Sequence, residues 1–330
     1  MYDISGELKD KIKMVNKVLL NKYEEVLSID RESLRGYINS RIGPILKIDK
    51  FTEKELKKYM ELGGILGVDG SKNRMGGAHP HFLEVYQGLA KSTLYKDKPI
   101  YKVDFYTPLY TEEEEANWLE EDVVRDEKIS NKKLAAIEVE AALEGVQELN
   151  PYAVMMDGSL IRYKIVCSEK WERLKEECEK RNILLVGVIK DIKTSIIKES
   201  IKEDNSLPIK ECFQDKELLY GLLDYGEVIL TNINTKKEMR GFASLFMRSS
   251  QAPTVIGMDI LKSQQSHILE MARLVFTLTP KYSRGVPLWL DIIDNEVKIP
   301  DQMIRGILES YLDRRIFEML FVSERDKRTM

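Results

Sequence analysis

Residues 63–73 read GGILGVDGSKN and residues 151–161 read PYAVMMDGSLI. Both are short apolar runs that stop at Asp-Gly-Ser, the pattern of a buried strand running into a turn. Taken singly, each Asp-Gly is also what a plain turn uses. Taken together, they place Asp69 and Asp157 at strand ends. In open α/β sheets the carboxyl ends of parallel strands gather at one edge, where sites form. The two carboxylates are therefore expected over one cleft.

Working outward, KWERLKEECEKRN reads as a helix and ILLVGVIKD as another buried strand, ending near Lys190 and Asp191. Upstream, FLEVYQGLAKSTLYKD and KPIYKVDFYTPLY carry the β-branched and aromatic residues of strands. The segment SKNRMGGAHPHF reads as a glycine-bearing connection, and TEEEEANWLEED as a solvated charge run. Ser130 or Asn131 is placed to cap a helix through KKLAAIEVEAALEGVQEL. The last third reads as strands GEVILTNI, RLVFTLTP and VPLWLDII, then a helix DQMIRGILESYLDRRIFEML. Residues 1–62 read as helices, one of them through FTEKELKKYMELGG and stopped by Gly63-Gly64. The expected organisation is an N-terminal helical extension over 1–62 and one α/β domain with a partly mixed sheet over 63–330.

The 330 residues are 43% hydrophobic and 32% charged, enough for a sizeable core. A net charge of -4 excludes a globally basic nucleic-acid coat, so any such surface is local. Cys167, Cys178 and Cys212 show no CxxC spacing and read as reduced, structural thiols. The start MYDISGELKDKIK has no apolar signal region, and no run is long enough to span a membrane. A soluble, cytoplasmic protein is expected.

Projecting Leu134–Leu149 at 100° per residue places Leu134, Ala135, Ala141, Ala142, Gly145 and Leu149 on one stripe. Glu138 falls near its centre, while Glu140, Glu144 and Glu148 point elsewhere. A buried carboxylate must be paired, protonated or bound to a metal. Glu138 thus has two readings: a salt-bridged glutamate at the edge of the core, or a third ligand beside Asp69 and Asp157. The second makes a hard-oxygen cluster suited to Mn²⁺ or Mg²⁺ and to phosphodiester hydrolysis. Lys190, at another strand end, is either a surface lysine or a contact to the scissile phosphate.

In this order, GVDGS, the helical Glu138, MMDGSL and VIKDIKTS resemble the NurA family of DNA-repair nucleases, as does the closing region RGVPLWLDIIDNEV. The resemblance spans about residues 60–330. It implies an RNase H-like core, Mn²⁺- or Mg²⁺-dependent cleavage of DNA, a homodimer, and a HerA-type hexameric ATPase as partner in end resection during double-strand-break repair. Carried over, it makes Asp69, Glu138 and Asp157 metal ligands and Lys190 an active-site lysine. The family's closing motif falls on Val286-Pro287, Leu290 and Asp294, without its tyrosine. Asp294 is the fourth ligand candidate, with Asp291 competing.

His79 and His81, with only His267 elsewhere, read as loop histidines near the site rather than a zinc pair. Lys190, Lys193, Lys198 and Lys202, and Arg314, Arg315, Arg325, Lys327 and Arg328, form local basic groups; each is a solvated face or a nucleic-acid contact. The tail SERDKRTM is a conceivable dock for the ATPase. Tyr101, Phe105 and Tyr106 read as core aromatics or as stacking surfaces. Two rival functions stand beside the nuclease. One is an actin-like or sugar-kinase-type ATPase cradling phosphate on both DGS segments; the other is a non-catalytic nuclease-fold adaptor for a ring ATPase.

Overall fold

The computed structural model describes residues 5–110, 122–204, 207–209, 212–231 and 241–322. The chain divides into two units, each assembled from separate stretches. Elements are numbered in chain order across both.

The first unit comprises Met1–Lys50, Ile189–Met258 and Ile268–Val286. It contains α1 (Gly6–Lys22), α2 (Glu24–Ser28), α3 (Arg31–Arg41), β1 (Ile45–Lys47), α8 (Ile196–Asp204), α9 (Asp215–Leu219), β7 (Glu227–Leu230), β8 (Phe242–Met247) and α10 (Ile268–Leu278). β7 lies antiparallel between β1 and β8. The core joins Leu34, Tyr37, Ile38 and Ile42 of the N-terminal segment to Ile197, Ile201, Leu219, Leu223 and Ile229. The N-terminal helices thus pack with later stretches of the chain, and residues 45–47, read as helical, form a strand. No residue of α1 is buried.

The second unit comprises Phe51–Val188, Asp259–His267 and Pro287–Met330. Its elements are α4 (Glu53–Glu61), β2 (Ile65–Gly76), β3 (Phe82–Ser92), β4 (Ile100–Tyr106), α5 (Asp122–Leu149), β5 (Ala153–Asp157), α6 (Leu160–Val166), α7 (Ser168–Arg181), β6 (Leu184–Ile189), α11 (Leu288–Glu296), α12 (Asp301–Tyr311) and α13 (Arg314–Leu320); β9 (Ile256–Leu261) crosses the boundary. α4 begins with a capping box between Thr52 and Glu55, as its sequence requires. The strand order is β4-β3-β2-β5-β6: β2, β3 and β4 form an antiparallel meander, and β5 and β6 add parallel strands through helical connections. This is a mixed α/β sheet with flanking helices.

Glycines let the helices close on both faces. A Cβ at Gly88 would lie 2.8 Å from Ile137 O of α5, and one at Gly67 would lie 2.3 Å from Ile293 Cδ1 of α11. Since successive strand residues alternate sides, α5 covers one face of β2 and α11 the other.

Four sequence expectations need correction. SKNRMGGAHPHF is not all connection: β2 continues to Gly76 because β3 pairs with it down to Gly76↔Phe82. Asp69 is therefore inside a strand and not at its end. The helix through Glu138 starts at Asp122, so neither Ser130 nor Asn131 caps it; Ser130 Oγ instead accepts a hydrogen bond from Lys72 Nζ at 2.8 Å. RLVFTLTP is the second half of α10, whose buried residues Ile268, Met271, Ala272 and Val275 recur at helical spacing. VPLWLDII is α11, with Leu290 and Ile293 inward and Pro287 at the N-cap. Of the aromatics, Tyr106 is core, whereas Tyr101 and Phe105 on the edge strand β4 are exposed. The charge run over 111–121 and the tail 323–330 lie outside the described residues. All three cysteines are buried, and burial pushes the Cys178 thiol up to about 12. No helix among the described residues is long and apolar enough to cross a membrane.

Candidate metal centre

The parallel pairing of β2 with β5 runs from Ile65↔Ala153 to Val68↔Met156. Asp69 and Asp157 are the next residue on each strand. Asp69 is thus held in mid-strand by its antiparallel neighbour while its parallel neighbour ends, and Asp157 closes β5. The DGS turn after it is tight. Gly158 has φ 136°, a region that glycine enters without strain, and a Cβ at Gly187 would lie 2.5 Å from Gly158 O. Ser159 Oγ donates to Oδ2 of the fully buried Asp259 at 2.5 Å, fixing the turn from β9.

α11 supplies the third carboxylate. Oxygen atoms of Asp69, Asp157 and Asp294 all lie within 4.8 Å of one another. Asp69 is buried at 8% exposure, and the Asp294 side chain, at 29%, also accepts a hydrogen bond from Lys298 Nζ at 3.1 Å. Asp291 is not part of this group. Three carboxylates at such separations repel one another by a few kcal/mol per pair at an effective dielectric constant of about 20. A divalent cation relieves that repulsion, and half-buried oxygen donors on rigid elements are the chemistry that Mg²⁺ and Mn²⁺ take.

Glu138 is brought to the same end of the sheet on the other face. A Cβ at Gly70 would lie 2.6 Å from Glu138 Oε1, so glycine there is what admits the glutamate. Glu138 is 2% exposed and accepts a hydrogen bond from Arg162 Nη1 of α6 at 3.1 Å. Burial pushes its pKa up to about 7, Arg162 opposes the rise, and the charge of Asp157 adds to it. Glu138 is thus paired with Arg162, and its carboxylate sits beside Asp157 but outside the three-carboxylate group. Lys190, half-exposed, follows directly on β6 and belongs to the first unit. His79 Nδ1 lies 3.0 Å from Asp126 Oδ2, and Asp126 also accepts from Tyr106. Arg162 was missed in the sequence; nothing but its place five residues after Asp157 in MMDGSLIRY could have flagged it.

The phosphate-cradling alternative for the DGS pair loses its geometry. The Gly158 amide donates to Val188 O at 2.9 Å and the Gly70 amide to Asp69 Oδ1 at 2.8 Å. Ser71 lies within β2 and forms no turn.

The mixed sheet thus brings acidic side chains together at the β2–β5 junction, a donor set that would suit a divalent metal. The chain belongs to the NurA family: the NurA domain matches residues 63–299. Family membership supports a nuclease. No curated protein matches the chain. Among solved structures, it is similar to endonuclease V from Bacillus subtilis, at 10% identity and a TM-score of 0.37, covering 86% of this chain and 95% of that one. It is similar to the catalytic domain of human endonuclease V at 13% identity and a TM-score of 0.37, covering 85% and 95%. Drosophila Piwi matches at 10% identity and a TM-score of 0.35, covering 72% of this chain and 29% of Piwi.

Proposed function

We propose that this chain is a metal-dependent DNA nuclease that hydrolyses phosphodiester bonds, with Asp69, Asp157 and Asp294 holding Mn²⁺ or Mg²⁺. The observation that carries this reading is the convergence of the three carboxylates within 4.8 Å. Bound there, a divalent ion would activate water and stabilise the leaving oxygen. Asp69 and Asp294 approach from the α11 face, and Asp157 closes the group from the end of β5. Glu138 is proposed as a further ligand next to Asp157, available once Arg162 releases it. Lys190 is proposed to contact the phosphate. Family membership supports the wider setting: a cytoplasmic homodimer acting with a HerA-type hexameric ATPase in end resection and double-strand-break repair.

The test is cleavage of end-labelled single- and double-stranded DNA in Mn²⁺, Mg²⁺ or EDTA, with Asp69→Ala and Asp157→Ala beside wild type. Cleavage that needs the metal and disappears in both variants is the expected result. Wild-type protein inert in every metal, with the ATPase present, would overturn the proposal and leave the adaptor reading.

A further inference from the structure

Arg162 has no role in the chemistry described so far beyond its bond to Glu138. Its position is specific. α6 starts immediately after the DGS turn and carries Arg162 back over it. The guanidinium carbon stands 5.2 Å from the centre of the Tyr163 ring, and Nη1 reaches Glu138. Among the described residues this is its one hydrogen bond, so four of its five N–H groups have no protein acceptor. The side chain is 33% exposed, which leaves those donors open to solvent beside the turn that bears Asp157.

The buried Tyr163 hydroxyl also faces Glu138, so the phenol and the guanidinium share one carboxylate. Gly158 leaves the space: a Cβ there would meet nothing closer than Tyr163 Oη at 3.8 Å and Arg162 Nη1 at 3.9 Å. The turn after Asp157 is thus bordered by an arginine fork with spare donors. Arginine's planar fork matches phosphate oxygens two at a time.

We propose that Arg162 binds a phosphate of the nucleic-acid strand at the Asp157 turn, with Glu138 orienting the guanidinium. This rests on the nuclease reading above and names a substrate-binding residue for it. The competing role, neutralisation of the buried Glu138 charge and nothing more, makes a different prediction for binding.

The experiment measures binding of a short fluorescein-labelled single-stranded oligonucleotide by anisotropy in EDTA, where cleavage is absent, across a salt series. Wild type, Glu138→Gln, Arg162→Lys and the double variant Glu138→Gln/Arg162→Gln are compared. The double variant removes both charges of the pair and leaves none unpaired. From Glu138→Gln to the double variant, the slope of log affinity against log salt should fall by about 0.7 for a single-stranded ligand. Affinity at low salt should drop about tenfold, the scale of one charged hydrogen bond. Arg162→Lys should keep the slope and lose affinity, because the charge remains and the fork does not. If the double variant has the slope and affinity of Glu138→Gln, Arg162 only neutralises its partner and the inference is overturned. Should the double variant fail to fold, Arg162→Gln alone is read by the same slope. Wild-type protein that neither binds nor cleaves DNA overturns the nuclease reading itself. Wild type that cleaves in Mn²⁺, with an unmoved slope in the variant, overturns the Arg162 role alone.

Discussion

Asp69 and Gly70 are consecutive on β2 and serve opposite faces of the sheet: Asp69 meets Asp294 of α11, while Gly70 makes room for Glu138 of α5. One dipeptide thus sets the closeness of two helices to one strand. A methyl group at Gly70 would stand 2.7 Å from Glu138 Cγ and 2.9 Å from Leu134 Cδ1. Both side chains belong to the packed face of α5 and have little room to yield. Gly70→Ala is expected to destabilise the protein by about 1–3 kcal/mol through overpacking, read by urea unfolding. A variant as stable as wild type would mean that α5 is looser on the sheet than the geometry implies.

Without metal, the carboxylate group is a strained cluster of like charges. Asp69→Asn or Asp157→Asn should therefore raise the unfolding free energy in EDTA, on the order of 1 kcal/mol. In Mn²⁺ the order should reverse, since wild type gains about 2.7 kcal/mol at a hundredfold excess over its dissociation constant and the variants gain less. Thermal melts with and without Mn²⁺ decide it. Equal metal-induced shifts in all three proteins would place the ion elsewhere.

Asp294 and Asp291 are one helical turn apart on α11, yet only Asp294 joins the group. Asp294→Asn should lower cleavage by at least about a hundredfold, the scale on which disturbed metal sites lose activity. Asp291→Asn should stay within a few-fold of wild type. Steady-state rates on labelled DNA separate the two, and the opposite ranking would reassign the fourth ligand.

In the first unit, Arg35 grips Glu227 with two hydrogen bonds, of 2.7 and 2.9 Å. That bond, above all, holds the Glu227 carboxyl below its usual value of 4.5. A carboxylate with a lowered pKa in the fold adds stability above its unfolded pKa, and loses it as pH falls through the lowered folded value. Wild type should thus lose stability below about pH 4.5 more steeply than Glu227→Gln, and the two curves should converge in acid. Parallel curves in a urea–pH series would show that the pair contributes nothing to acid sensitivity.

The sequence carried the carboxylates further than it carried their surroundings. Asp69 and Asp157 stood out because each closes an apolar run, and Glu138 because one charge interrupted a stripe of small residues. The length of β2 was hidden, since Ser71, Asn73, Gly76 and Gly77 are residues of turns, and only pairing with β3 overrides that local preference. RLVFTLTP and VPLWLDII were read as strands because a short apolar window has no resolvable period. The helical spacing emerges only when Ile268 and Met271, or Val297, are included. Arg162 left no trace because a lone arginine on a short helix has no pattern, and its meaning comes from Asp157, five residues back, and Glu138, 24 residues upstream.

The interleaving of the two units also orders events in time. Leu34, Tyr37, Ile38 and Ile42 are synthesised well before Leu219, Leu223 and Ile229, with which they share a core. At roughly 5–20 residues per second, on the order of ten seconds or more pass before those partners exist. For that interval these four side chains lack most of the apolar partners they have in the folded unit.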